Sequence, residues 1–388
     1  MSPPAPSAAS PIHPAARLPQ EWQSVLAARG EPPYRARQIF RWIHGRAVID
    51  PAKMTDLPLE LRAALRADGL ADVATPERIH RSADGARKLV LRLRDGALIE
   101  TVLLPAGAPG ADDDADVAAA DDRDHGADDA PRAPDPSTRV AQCVSTQVGC
   151  AMGCAFCASG AAGLRRQLGP EEIAGQVIEG RRQLDPGERL RAVVLMGMGE
   201  PLHNYDAVAR AIRLLTDTDG VGLSPARITV STCGLVPGIR KLGEDFGGRV
   251  GLAVSLCHAD DAKRAALVPV ARRHPLAELV AALREYPLPR RRRITVEYTL
   301  LRGENDTPAD ARRLVRLLRP VRVKVNLIPM NPIAGAPFQP PAPEAVLAFQ
   351  QELVRAGYAC FVRRRRGDDV TAACGQLAGV LDGAGGVE

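Results

Sequence analysis

The chain has 388 residues, 45% of them hydrophobic, with 51 Lys and Arg against 46 Asp and Glu and a pI near 8.9. This is the composition of a folded globular enzyme rather than a tail or scaffold, and the length allows one large core or two modest ones. The formal charge of +5 conceals one acidic segment and a basic remainder, which favours a polyanionic partner and leaves nucleic acid as one possibility.

The first residues are rich in Pro and Ala, with no basic start followed by an apolar core, so the expectation is a cytoplasmic protein without a membrane span. Residues 1–18 read as a disordered leader. Trp22, Val25, Leu26, Tyr34, Ile39, Phe40, Trp42 and Ile43, then Leu57, Leu61, Ala64 and Leu65, recur at mostly three- and four-residue spacing. They predict a small helical domain over 19–78, its helices ending near residue 75. Arg35, Arg37, Arg41 and His44 are expected on its exposed sides, as a solvated basic face or an RNA contact. Residues 88–93 and 98–104 flank Asp95-Gly96 and predict a β-hairpin within 79–106. Residues 107–139 then lose their apolar bulk to Ala, Asp, Pro and Gly, and are expected to be a disordered insertion, because burial there cannot repay ordering entropy.

From residue 140 strand-like and helix-like segments alternate. The strands are expected at 140–145, 192–196, 227–231, 250–256, 294–300 and 323–328, with helices at 171–183, 205–215 and 308–318. Six βα units make a parallel sheet over a core of 140–365, as an open doubly wound sheet or a partly closed barrel. Residues 366–388 form a closing segment. Cys143, Glu200, Ser231, Ser255 and Asn331 all fall near strand C-termini, the edge where chemistry sits in either fold.

The eight cysteines include three in Gly149-Cys150-Ala-Met-Gly-Cys154-Ala-Phe-Cys157. Disulfide scaffolds belong to short secreted chains, so metal ligation or thiol chemistry is expected here. A C-x3-C-x2-C loop supplies three thiolates and leaves the fourth iron of a cubane open to chelate a small ligand. A closed zinc site wants a fourth Cys or His nearby, and ferredoxin clusters want tighter spacing with a fourth Cys; neither follows. The spacing, with an aromatic residue before the last Cys, resembles the signature of the radical S-adenosylmethionine (SAM) superfamily. Met196-Gly-Met-Gly-Glu200-Pro201 follows an apolar strand; glycines at 197 and 199 allow close backbone approach, and Glu200 can accept a bond from an ammonium group.

Eight further stretches narrow the resemblance: "YRARQIFRWIH" (34–44), "IETVLLP" (99–105), "CVSTQVGCAMGCAFCASG" (143–160), "VVLMGMGEPLHN" (193–204), "ITVSTCGLVPGI" (228–239), "VEYTLLRGEND" (296–306), "VNLIPMNP" (325–332) and "RRGDDVTAACGQLAG" (365–379). Together they resemble the RlmN/Cfr group of radical SAM RNA methyltransferases, and its RlmN branch most closely. The resemblance implies a partial (βα)6 barrel with a helical N-terminal domain and a β-hairpin extension. It implies a [4Fe-4S] cluster on Cys150, Cys154 and Cys157, and SAM contacts from Gly199, Glu200, Ser231, Ser255, Leu256, Cys257 and Asn331. Cys374 would carry the methyl carbon, Cys143 would release the product, and Glu100 would accept the adenine C2 proton. The implied substrates are 23S rRNA and tRNA, the electron donor a flavodoxin or ferredoxin, and the protein a monomer. A Cys143–Cys374 disulfide is expected in protein handled in air without its cluster.

Three departures stand out. Cys257 occupies the family's His position with His258 one residue late, Met330 replaces an aromatic residue, and the acidic segment lengthens a normally short link. The motifs leave open methylation at adenine C8, as in the Cfr branch, and a noncatalytic RNA-binding or assembly protein.

Overall fold

The computed structural model describes residues 12–105, 138–333 and 337–378. The helical periodicity after Pro19 yields α1 (Pro19–Ala27), α2 (Tyr34–Phe40) and α3 (Leu59–Ala67). Their apolar faces bury Trp22, Ile39, Phe40, Ile43 and Leu65 against one another and against Ala174, Ile178 and Leu214 of the following region. Charged side chains fasten the same contact: Arg210 reaches Glu21 at 2.8 Å and Arg181 donates to the Gly45 carbonyl at 2.6 Å.

Three N-terminal expectations are corrected. Pro14–Ala16 is a buried 3-10 turn rather than part of a leader, because the carbonyls of Ala15 and Ala16 meet His44 and Arg210. His44 is wholly buried and not on an exposed side. The helical stretch ends early, since Ala74–Arg81 is strand β1, paired antiparallel with β2 (Arg87–Leu93). Residues 1–11 lie outside the described residues.

The hairpin around Asp95-Gly96 is present, with β2 running antiparallel to β3 (Leu98–Pro105). β3 in turn pairs antiparallel with β4 (Thr138–Cys143), setting Val102 opposite Cys143. The acidic stretch expected over 107–139 falls outside the described residues up to 137; Thr138 and Arg139 belong to β4.

A small antiparallel pair follows, β5 (Gln147–Gly149) and β6 (Leu164–Gln167), with the short α4 (Ala158–Ala161) between them. The repeating units are then α5 (Pro170–Arg182), β7 (Glu188–Leu195), α6 (Tyr205–Thr216), β8 (Ile228–Thr232), α7 (Val236–Phe246), β9 (Gly251–Ser255), α8 (Asp261–Leu267), α9 (Leu276–Glu285), β10 (Ile294–Leu300), α10 (Pro308–Leu318), β11 (Val323–Pro329), α11 (Pro343–Arg355) and β12 (Cys360–Val362). Local chemistry fixes several boundaries. At α10 the Thr307 hydroxyl accepts from the Asp310 amide at 3.2 Å, with Pro308 in the first turn. At the end of α7, Gly247 takes φ +56, the left-handed cap that glycine tolerates.

The main sheet has the order β1-β2-β3-β4-β7-β8-β9-β10-β11-β12, parallel from β4 onward. That order decides between the two folds the sequence allowed. A doubly wound sheet reverses its strand order at a switch point, whereas here each parallel strand adds to the same edge, so right-handed crossovers keep the helices on one face and curl the sheet into a partial barrel. β12, a seventh parallel strand, was not expected; at three residues its period is too short to read. Among the described residues no helix is long and apolar enough to cross a membrane.

Candidate active site

The C-terminal ends of the parallel strands surround a cavity of about 1050 Å³, counting its open mouth. Cys150, Cys154 and Cys157 reach it from the loop after β5, Gly199 and Glu200 from the loop after β7, Ser231 from β8, Ser255 and Cys257 from β9, Asn331 from the end of β11, and Cys374 from the closing segment. Cys143, Glu100 and Leu256 do not form its wall. Cys143 lies under the Cys374 side at the end of β4, Glu100 sits within β3, and Leu256 is buried in the core.

The cysteine loop is tight because of two glycines. A Cβ on Gly149, whose φ is +77, would lie 1.8 Å from the Gly163 carbonyl, and one on Gly160 would lie 2.8 Å from the Cys154 amide. Cys150 donates its amide to the Gly163 carbonyl at 3.0 Å, and Ala155 donates to Leu267 at 3.0 Å. The thiols are set among Met152, Phe156, Leu267 and Val268. Burial, with Cys157 and Glu200 nearby, pushes the Cys150 thiol up to about 11, and burial beside three other thiols pushes Cys154 higher still. Apolar thiols that raise one another in this way are suited to a cationic centre that favours their thiolates. Among the described residues no three His, Cys, Asp or Glu converge on a single-ion site. A cubane spreads its ligands more widely, so this donor set fits a three-thiolate iron-sulfur cluster better than closed zinc.

Beside the thiols, Gly199 at φ +102 lets the chain pass so close to Gln147 that a Cβ would sit 2.6 Å from the Gln147 Cβ. Gln147 Oε1 accepts from the Glu200 amide at 2.9 Å, and the buried Glu200 carboxylate accepts from the amides of Leu202 (3.0 Å) and Cys233 (2.8 Å). Burial raises the carboxyl above its usual range, against the pull of these bonds. Asn331 donates to the Cys374 carbonyl at 2.9 Å while its own Oδ1 is buried without a protein partner, an acceptor suited to a donor on a bound ligand. Cys257 adopts φ +61, and its carbonyl accepts from Asn305 at 2.6 Å. His258 does not substitute for it: the ring is buried away from the cavity, Nε2 lying 3.9 Å from Asp310.

Cys374 is exposed, and its segment is stitched down on every side. Ala158 donates to the Gly375 carbonyl at 2.8 Å and Ser159 to the Leu377 carbonyl at 2.5 Å, tying it to the cysteine loop. Lys88 Nζ donates to Thr371 Oγ1 at 2.7 Å, and Glu100 Oε2 accepts from the Ala378 amide at 2.8 Å. Lys88 and Glu100 pair with each other at 3.2 Å, so one buried ion pair brackets the loop at both ends. Burial, with Cys374 near enough to add to it, pushes the Cys143 thiol up to about 12. None of the eight cysteines is in a disulfide. Lys88, Gln147 and Ser159 were missed in the sequence; a lysine in a strand reads as solvated, and nothing local to it announces a partner so far along the chain.

Residues 144–317 match the Radical SAM superfamily, and residues 19–69 match a family described as the ribosomal RNA large subunit methyltransferase N-terminal domain. A dual-specificity RNA methyltransferase RlmN of Sorangium cellulosum is 64% identical over 97% of this chain and 97% of its own, and that of Anaeromyxobacter dehalogenans is 46% identical over 93% and 90%. The crystal structure of a radical SAM methyltransferase from Sphaerobacter thermophilus superposes with a TM-score of 0.83 at 41% identity, covering 95% of this chain and 100% of that one. With a helical N-terminal region, a partial radical SAM barrel and a cysteine-lined cavity at its strand ends, the chain belongs to the RlmN family of dual-specificity RNA methyltransferases.

Proposed function

We propose that the protein methylates C2 of an adenine in 23S rRNA and in tRNA, with Cys374 as carbon carrier and Cys143 as the thiol that releases the product. The observation that carries this reading is that Cys374 lines one cavity with Cys150, Cys154 and Cys157, while Cys143 at the end of β4 lies near enough to feel the charge of Cys374. Those three would hold a [4Fe-4S] cluster, which together with SAM would supply the electron and the carbon-radical chemistry that attack at adenine C2 requires. Ordinary displacement from SAM fails at this carbon, which has no nucleophilic lone pair.

Gly199 lets the backbone approach SAM closely, and Glu200 presents a carboxylate toward its amino group. Ser231, Ser255, Leu256, the Cys257 backbone and Asn331 would complete its orientation. The carrier residue must be reachable by a nucleobase, and Cys374 is the exposed cysteine of the eight. Its sulfur takes a methyl group from SAM by displacement and gives up its proton. That S-methyl group then gives one hydrogen atom to the carbon radical that bound SAM would supply, and its carbon bonds to C2 of the base; the electron left over once the C2 proton departs would return to the cluster. Glu100 would take the C2 proton; because its carboxylate now holds Ala378 and Lys88, this role requires the Ala378 bond to open. Cys143 then attacks the sulfur of Cys374. The S–C bond breaks, the released carbon takes a proton to become the methyl group, and the two cysteines are left as a disulfide that a reductant must open before the next turnover. A flavodoxin or ferredoxin is the expected class of electron donor, and the N-terminal helices would grip RNA by shape and backbone.

The test is mass spectrometry of digested RNA after anaerobic incubation of reconstituted protein with SAM, reductant and unmodified ribosomal RNA or tRNA. The expected product is 2-methyladenosine, absent with Cys374→Ala; 8-methyladenosine would instead place the chemistry at C8.

A further inference from the structure

The opposite end of the barrel carries a second cavity with no part in the scheme above. Five strands carry a cation at or near this end: Arg139 in β4, Arg191 in the first half of β7, Arg227 just before β8, Arg293 just before β10 and Lys324 in β11. All five, joined by Arg363 after β12, line one space of about 1100 Å³ counting its mouth, and Glu297 is the one carboxylate of its wall among the described residues. In a filled barrel the inward layers are packed by branched apolar side chains. Here Ala192, Thr229, Gly251 and Thr295 leave the lower layer hollow.

Arginines brought to one mouth from separate strands repel one another, and low-dielectric walls focus their field. Each guanidinium offers five donors in a flat fork that matches phosphate oxygens two at a time, so one that already holds an acceptor keeps others for a ligand. We infer that this mouth is a binding site for a multivalent phosphate, separate from the catalytic cavity. The two spaces share Met196, Glu297 and Arg363, so an occupant sits directly below the catalytic wall. Phosphate could arrive as a free polyphosphate compound or as the backbone of an RNA. The inference stands on the cation ring and does not depend on the methyl-transfer reading.

The test is calorimetric titration of the full-length, cluster-reconstituted protein with inorganic triphosphate at low salt. Wild type is expected to bind, and Arg139→Gln with Arg227→Gln and Lys324→Gln to weaken binding by roughly tenfold for each charge removed. Arg139→Gln with Arg293→Gln changes exposed rim positions alone, so it reports in the same direction should the half-buried changes disturb folding. Arg312→Gln with Arg355→Gln, on the outer helices α10 and α11, should leave binding unchanged. No heat with wild type, equal affinity in the rim variant, or an equal loss in the outer-helix variant overturns the site, the last by showing that general basicity suffices. Short single-stranded RNA is then added. Displacement of the triphosphate names an RNA backbone as the source, and RNA binding without displacement names a free phosphate compound.

Discussion

The two sides of the catalytic cavity are built by opposite means. The cofactor side comes from short runs of chain: one loop carries Cys150, Cys154 and Cys157 and another carries Gly199 and Glu200, so each run brings its own functional groups together before Leu267, Gln147 and Cys233 fasten it to the rest of the fold. The side proposed as the carrier is one exposed cysteine whose loop is held by Lys88, Glu100, Ala158, Ser159 and Asn331, drawn from across the fold. A cluster and SAM need a dry, preorganised wall, whereas a carbon carrier has to meet a nucleobase that arrives from outside. Cys374 itself stands exposed between the buried Ala373 and Leu377, and distant polar contacts hold the loop around it.

Single substitutions separate the two sides, and the largest effect is expected at the thiols. Cys374→Ala should abolish RNA methylation while SAM cleavage and iron content persist; Cys150→Ala should abolish all three. Equal loss of iron in both variants would break the comparison.

Next is the ion pair under the carrier loop. Lys88→Met leaves Glu100 buried without its cation, at a cost of roughly 3–5 kcal/mol. Displacement of the loop should slow methyl transfer by about 10²-fold, with iron content unchanged. Lys88→Met combined with Glu100→Gln should recover most of the stability in chemical denaturation but not the rate. If the double variant is no more stable than the single, the pair does not act as described.

Acidity sharpens the comparison further. Burial, with the Cys374 thiol nearby, pushes Cys143 up to about 12; in the adduct Cys374 is an uncharged thioether, and burial still favours the Cys143 thiol at neutral pH, its thiolate fraction growing as pH rises. Breakdown of the Cys374–RNA adduct, followed by gel shift, should therefore accelerate about tenfold per pH unit between roughly 7 and 9. A flat profile would mean that a neighbouring base activates Cys143 within the complex. The smallest effect is expected far from either side: Thr307→Ala removes the α10 cap, lowering stability by about 1 kcal/mol and leaving methylation untouched.

Several features were legible because their causes are local. Runs such as "AVVLM" and "ITVST" are apolar and β-branched enough to read as parallel strands, so β7 and β8 could be placed without knowing their neighbours, although alternate residues of β8 are only half-buried where they face the cavities. The Cys150 loop announces itself because its ligands share one turn. His44 misled because helical periodicity places a residue on a face but does not say what later packs against that face; here the Pro14–Ala16 turn folds over it. β1 was hidden by its exposed, irregular sequence, which becomes a strand only by pairing with β2.

By itself, the sequence determined the periodic elements, the three-thiol loop and the glycine turns beside it, since each follows from steric and burial preferences within a few residues. The tertiary structure alone decided that the strands add in one direction into a partial barrel, that Cys374 comes to line one cavity with the three-thiol loop, that Lys88 and Glu100 bracket the Cys374 loop, and that five separated cations share one mouth. Those are relations between residues far apart in the chain, and they exist only once strand order and register bring them into contact.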